Sequence, residues 1–493
     1  MTDSLLDKYL EKNSGKPRKK EVIAYLAILD HLQERAPYIA KPLLQELVDQ
    51  KRRLKLIASE NYSSLTVQLA MGNLLTDKYC EGFPYHRFYA GCENVDQVES
   101  EAVEGAKALF GASHAYVQPH SGADANLVAF WAILTKKIQN KEIERLGKKS
   151  PNALTNEEFE KLRQLLCNQT FLGLSLHSGG HLTHGFRQNV SAKMMRAVSY
   201  SVDPDTGLLD YGEIARIARE EKPLILLAGY SAYPRRINFA KMREIADEVG
   251  AVLLCDMAHF AGLVAGKVFQ GEEDPVPYAH IITSTTHKTL RGPRGGLILC
   301  QPEFSEVIDK GCPLVLGGPL PHVIGAKAIA FREANTPDFQ DYAGQVVTNA
   351  RALATSLKRE GISVVTNGTD NHLVLLDLSH LGITGKIGEN ALVQAEMIVN
   401  RNMIPFDSEG AWFTSGIRIG TAALTTRGMK EKEMEMIGKW ISRVLHNTRA
   451  GLDPKTGEKS RAHGETDPKI LEEVREGVAS LLKQYPLYPE LEI

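Results

Sequence analysis

A chain of 493 residues, 43% of them hydrophobic, can bury a large core and should divide into two or three domains. Its 58 basic against 60 acidic residues leave a net charge of −2, which supplies no global field for nucleic acid or an anionic membrane and favours a small-molecule substrate. Six cysteines without a CxxC pair argue for a reducing compartment and against a structural metal.

Near the amino terminus, a basic run through Lys20 precedes EVIAYLAILDHL and superficially imitates a targeting segment. Asp30 and His31 end the apolar run and no small-residue cleavage site follows, so an amphipathic arm helix is expected. No stretch approaches the length needed to cross a membrane. KYCEGFPYHRFYAG then gathers Tyr79, Glu81 and Tyr89 in one loop, a mixture suited to proton transfer and phosphate contact, although alone it is only a tyrosine-rich turn. In VDQVESEAVEGAKALFGA, Val95, Val98, Ala102, Ala106 and Leu109 share a helical face, and Gly111 stops the helix.

Short apolar runs follow at HAYVQ, PLILLAG, AVLLCD and HIITSTT, separated by helix-length segments. That is the pattern of buried, mostly parallel strands in an α/β domain. Polar residues stand directly after each run: Ser121 and Gly122, Ser231, Asp256 with His259, and Lys288. In an open α/β sheet the strand carboxyl ends share the rim where ligands bind, so four loops aim at one place. The charge-rich region from Lys136 to Gln169 departs from this alternation; Thr155 and Glu158 have capping-box spacing, and the region reads as a helical surface insertion. Beyond about Ala334 a smaller α+β domain is expected, with strand-like HLVLLDLSHL, a helix NALVQAEMIVNRN, strand-like WFTSGIRIG, and a helix placing Met434, Ile437, Ile441 and Val444 on one face. The expected division is an arm over 1–75, a large α/β domain over 76–334 with its insertion over 136–169, and a small domain over 335–493.

Lys288 lies between hydroxyls and a glycine- and arginine-rich turn in STTHKTLRGPRGG, with Arg291 and Arg294 nearby. A lysine that forms a Schiff base must lose its proton readily, and burial beside cations lowers its pKa. Asp256, ending another apolar run, is the kind of carboxylate that keeps a pyridine nitrogen protonated. QPHSGADANLVAFWAIL sets Ser121 and Gly122 at a helix start, an anion site in principle. LHSGGHLTHG offers His181 and His184 to either a metal or a stacked aromatic cofactor; with no acidic residue near in sequence, the stacked histidine fits better and no metal is expected. Arg418 in FTSGIRIG could hold a carboxylate through two hydrogen bonds, or could form a structural salt bridge.

VQPHSG, GGHLTHG, DMAHFAGLVA, TTHKTLRGPRGG and TSGIRIGT together resemble the serine hydroxymethyltransferases, over a span from IASENY at Ile57 to about Leu445. The resemblance implies a pyridoxal phosphate enzyme of fold type I, α/β with a mostly parallel central sheet and a smaller α+β C-terminal domain. It implies transfer of serine's hydroxymethyl group to tetrahydrofolate, through an aldimine and a quinonoid, in the cytoplasm. Lys288 would carry the aldimine, Asp256 would pair with the ring nitrogen, His181 would stack on the ring, and Ser231 and His259 would hold the ring hydroxyl. Ser121 and Gly122 would cradle the phosphate, with Thr285 and His287 also in the cofactor set. A second subunit would complete the site with Tyr79, Glu81, Tyr89, Gly317 and Gly318, making a homodimer. Glu81 resembles the proton-transfer acid, with Tyr89 beside it. Arg418 and Ser59 would clamp the substrate carboxylate, and Leu182 and Asn402 would line the folate pocket.

Ala123, Phe88, Ala90 and Ala422 depart from the family's usual residues, which would favour folate-independent cleavage or racemisation on the same site. Rival readings are a dedicated threonine aldolase or alanine racemase, and a noncatalytic or RNA-contacting protein on the same fold. Intact Lys288, Asp256, Glu81 and Arg418 and the neutral charge balance argue against the last.

Overall fold

Seven short strands form one central sheet in the computed structural model, which describes residues 4–453 and 457–491. In chain order they are β1 (His114–Tyr116), β2 (Thr170–Leu174), β3 (Arg196–Tyr200), β4 (Ile225–Gly229), β5 (Val252–Asp256), β6 (Ile281–Thr285) and β7 (Gly296–Cys300). Their spatial order is β1-β7-β6-β5-β4-β2-β3. Strands β2 to β6 run parallel, and β7 is antiparallel to both β6 and β1. The four expected strands are all present. Strands β2, β3 and β7 were not anticipated: β2 follows the polar insertion, β3 is only half-buried, and β7 hides behind the glycine turn that drew attention to Lys288.

Each central strand is apolar on both faces because helices cover both. Val252 and Leu254 of β5 pack with Ala125, Val128 and Ile133 of the helix Gly122–Leu134, while Leu253 and Cys255 point to Phe239, Met242 and Ala246 of the helix Phe239–Val249. The register aligns Gly229, Asp256 and Thr283 across β4, β5 and β6, so their carboxyl ends reach one rim. Gly229, at φ 141°, is required there, since an added Cβ would lie 2.2 Å from the Asp256 carbonyl oxygen. The helix Glu93–Phe110 ends at Gly111 in the left-handed region, as its spacing predicted. In the insertion, Thr155 and Glu158 form both bonds of a capping box on the helix Asn156–Cys167.

A second, antiparallel sheet holds β8 (Ser363–Val364), β9 (Leu373–Asp377), β10 (Asn400–Asn402) and β11 (Gly416–Gly420) in the order β8-β9-β11-β10. Two expectations are corrected here. The segment from Asn390 to Asn402 is not one helix: Gly385–Gln394 is helical, Glu396 turns through φ 59°, and Met397–Ile398 and β10 continue extended, as β-branched Ile398 and Val399 favour. Trp412 and Phe413 belong to a short helical turn, Gly410–Phe413, which Thr414 ends at φ 55° before β11 begins. Met434, Ile437, Ile441 and Val444 of the helix Glu431–His446 are fully buried.

The two cores share one helix. In Pro337–Arg359, 23 residues long, Phe339, Ala343, Val346 and Val347 pack into the large core, and Ala350, Leu353, Ala354 and Leu357 into the small one. In the arm, Val22 and Leu26 on the inner face of the helix Lys20–Arg35 form a separate small cluster with Leu47, Leu65 and Leu491, while Leu54 and Leu56 enter the small core where Leu54–Lys55 pairs with Met397–Ile398. Among the described residues no helix is long and apolar enough to cross a membrane. Replacing Ile437 with alanine should lower stability by ~2–5 kcal/mol through the cavity it leaves, measured as a shift of the denaturant midpoint. A change within error would show that this face is not under packing constraint.

Candidate active site

A cavity of about 550 Å³ opens between the two parts, lined by Ser59, His181, Leu182, Ser231, His259, His287, Lys288, Asn402 and Arg418. These nine of its lining residues were expected at the site, whereas Glu60, Arg401, Met403 and Thr414 line it without having been expected. The nine come from segments spread over 360 positions of the chain, here brought to the rim by the carboxyl ends of β4, β5 and β6 and by β10 and β11.

Beneath this lining lies Asp256. Its Oδ2 accepts from Asn126 Nδ2 at 2.9 Å and from His184 Nε2 at 3.1 Å, and its Oδ1 accepts from the Ala258 backbone N–H at 3.1 Å. Burial favours the protonated acid, but the His184 bond, the neighbouring histidines and Asn126 outweigh it and hold the carboxyl well below the usual range. The partners are themselves fixed: Thr283 Oγ1 donates to Asn126 Oδ1 at 2.6 Å, and the His181 backbone N–H donates to His184 Nδ1 at 3.2 Å, which leaves the His184 Nε2 proton for Asp256. Asn126 and Thr283 were missed as site residues, and His184 was singled out only as a metal or stacking candidate, not as a partner of Asp256. They sit in an apolar helix, a buried strand and a glycine loop, and only the fold reveals that they converge.

His181 is pushed down to about 4 by removal from water, with Asp256 opposing and His184, Lys288 and Arg418 adding to the shift, so it is neutral at pH 7. The argument against a metal from sequence, that no acid lies nearby, fails in space: potential ligand atoms of His181, His184 and Asp256 lie within 4.8 Å of one another. Both His184 nitrogens are engaged, and His181 Nδ1 is bonded to Thr183 Oγ1 at 2.8 Å.

Shielding from water lowers the Lys288 amine to about 8, with Asp256 opposing and Arg418 and Arg294 contributing. Of the two arginines singled out beside it, Arg291 is not a contributor: its guanidinium stacks on Tyr342 at 4.7 Å. Asn61 instead steadies the lysine turn, donating to the Lys288 carbonyl at 2.9 Å and to the Tyr342 hydroxyl at 2.8 Å. Arg418 donates to the Ser231 carbonyl at 2.7 Å and to Asn400 Oδ1 at 3.2 Å. No carboxylate pairs with it among the described residues, which removes the salt-bridge alternative, and burial lowers it to about 10.

The residues present fit a phosphate-bearing pyridine cofactor. Among the described residues, His287 Nδ1 and His120 Nε2 are buried without a hydrogen-bond partner, one in the cavity lining and one next to Ser121. Ser121 caps the helix Gly122–Leu134, its Oγ accepting from the Asp124 N–H at 3.2 Å and donating to Asp124 Oδ2 at 2.9 Å. Thr285 packs beneath that helix start, where a Cβ on Gly122 would meet its Cγ2 at 2.8 Å.

Tyr79, Glu81 and Tyr89 do not line this cavity. They form a separate exposed cluster, with the Tyr89 hydroxyl donating to Glu81 at 3.3 Å, the Tyr79 and Tyr89 rings 4.9 Å apart, and Gly318 against the Tyr79 ring; Gly317 stands open beside it. Phe88 is exposed on the same hairpin, and nothing in the structure explains its replacement of the usual tyrosine.

A family model described as serine hydroxymethyltransferase matches residues 32–144 and 156–441. Proteins named serine hydroxymethyltransferase are similar along the whole chain. That of Treponema pallidum (strain Nichols) is 57% identical, over 100% of this chain and 86% of its own. Those of Chlamydia muridarum and Chlamydia abortus are 55% and 56% identical, each over 99% of both chains.

In the cofactor-free protein, amine labelling of Lys288, followed by peptide mass spectrometry, should rise about tenfold per pH unit and level off near pH 8, not near 10.5. Because the Asp256 charge supports the protonated amine, Asp256→Asn should move the plateau to lower pH. A plateau in the ordinary lysine range would remove the electrostatic account.

Proposed function

The chain belongs to the serine hydroxymethyltransferase family, and from that premise we propose how its own residues carry the family's reaction. The reaction transfers the hydroxymethyl group of serine reversibly to tetrahydrofolate, giving glycine and 5,10-methylenetetrahydrofolate in one-carbon and amino-acid metabolism. Bound pyridoxal 5′-phosphate supplies the electron sink for the carbon–carbon bond that breaks.

Lys288 is the attachment amine, and its lowered pKa makes the neutral nucleophile available near pH 8. Asp256, held as a carboxylate by His184, Asn126 and the Ala258 N–H, keeps a proton on the pyridine nitrogen. His181, neutral, offers an uncharged flat face to the ring, while Ser231 and His259 border its hydroxyl. Ser121, Gly122, Thr285 and His287 serve the phosphate end. Arg418 and Ser59 bind the substrate carboxylate, and Leu182 and Asn402 at the cavity border receive folate. Glu81, with Tyr89, manages the proton at the hydroxymethyl oxygen. Since that cluster lies outside its own chain's cavity, we assign it, with Tyr79, Gly317 and Gly318, to the site of the other subunit of a homodimer. Six free cysteines suit a cytoplasmic protein.

The observation that carries this reading is Arg418, a shielded guanidinium without a carboxylate partner among the described residues, in one cavity with a lysine whose pKa is lowered. Arg418→Lys should still take up the cofactor but lose roughly 100-fold in kcat/KM for serine, chiefly through KM, because a bidentate site becomes a point charge. An unchanged KM would move the carboxylate site elsewhere. Coexpressing Lys288→Ala with Glu81→Gln should recover activity that each lacks alone, since a mixed dimer holds one site with both residues intact. No recovery would place Glu81 in its own chain's site.

A further inference from the structure

Lys327 is only 2% exposed, and the reaction as described makes no use of it. It lies on the helix Pro321–Ala334, which begins just after Gly317 and Gly318 and packs on the helix Glu93–Phe110. Its Nζ donates to three backbone carbonyls: Val117 at 2.5 Å, Pro119 at 3.0 Å and Gly296 at 2.9 Å. Val117 and Pro119 lead from β1 into Ser121 and Gly122. Gly296 opens β7, where the chain returns from the Lys288 turn, and its N–H donates to the Pro119 carbonyl at 2.8 Å.

One amine thus joins the loop that leads from β1 into Ser121 and Gly122 to the start of β7, where the chain returns from the Lys288 turn. Burying a charge is costly, and a position that needed only packing volume would be served by methionine or leucine. No carboxylate is bonded to this lysine among the described residues. Burial lowers its pKa, and Glu99, itself bonded to Arg87 and Gln118, opposes the shift from a distance. Three acceptors that cannot donate call for the donors of a protonated amine. The neighbouring Gly295 leaves the required room: a Cβ there would lie 2.4 Å from Lys327 Cε.

We propose that Lys327 is a positioning residue that fixes the loop Pro119–Gly122 against the Lys288 turn, and so sets the cofactor's phosphate relative to the attachment amine. This rests on the reading of Ser121 and Gly122 as the phosphate cradle.

The holoenzyme tests it through the bound cofactor itself. Lys327→Met should weaken pyridoxal phosphate retention by about 10- to 100-fold and move the phosphorus-31 resonance of the bound phosphate toward that of free cofactor, while KM for serine stays within about twofold. A lower melting temperature with unchanged retention and resonance would mean that the lysine is structural only and would overturn the inference. Gly295→Ala, which should crowd the amine off its carbonyls, is expected to give the same signature if Lys327→Met does not fold. In the double variant the two effects should not add, because both act through one group; full additivity also counts against the proposal. Ser121→Ala separates the two readings. If it moves the resonance and neither other variant does, only the role of Lys327 fails; if none of the three moves it, the cradle reading fails as well.

Discussion

The site is organised around a carboxylate that should not be stable where it lies. Asp256 ends a strand buried on both faces, and without its partners it would take up a proton and lose the charge for which the position is suited. Three donors from three elements prevent this: Asn126 from the helix after β1, His184 from the loop after β2, and the Ala258 N–H two residues along its own loop. Each needs the sheet in register, because Gly229, Asp256 and Thr283 stand abreast and Thr283 orients Asn126. The fold and the electrostatics are therefore one constraint seen twice.

That fixed negative charge orders the groups above it. His181 and His259 are both driven toward the neutral form by burial, with Lys288 and Arg418 adding to the effect. Lys288 in turn feels burial, Arg418 and Arg294 in one direction and Asp256 in the other, and settles within reach of neutral pH. Arg418 keeps its charge under the same shielding because a guanidinium starts from a higher pKa. The cavity thus holds a permanent cation, a switchable amine and neutral rings over one anion, a sorting of protonation states by depth.

Ser231, His259 and Lys288 were legible from sequence because they stand after strands, where polarity interrupts apolar runs and the break is visible, whereas Ser59, Leu182, His287 and Asn402 were reached only through the family resemblance. The support beneath them was not legible. Asn126 reads as one polar residue on an otherwise apolar helix, and nothing local in Thr283 marks it as the group that aims Asn126. The acid beside His181 and His184 is invisible along the chain because it arrives from a strand some 70 positions away. The mistaken helix from Asn390 to Asn402 has a similar cause: its apolar spacing suits a helix, but pairing with Leu54–Lys55 and with β11 captures its second half as strands. Local periodicity loses to a partner that sequence does not display.

The helix Pro337–Arg359 gives the two parts of the molecule a common axle. Arg418 rides on the small sheet and Lys288 on the large one, and this helix is anchored by its first half in one core and by its second half in the other. Its hydrogen-bonded ladder runs unbroken through the boundary, so the parts cannot part like pages on a loose thread. Any change in the span between guanidinium and amine has to bend or repack this rod, so the two halves of the site share one mechanical element.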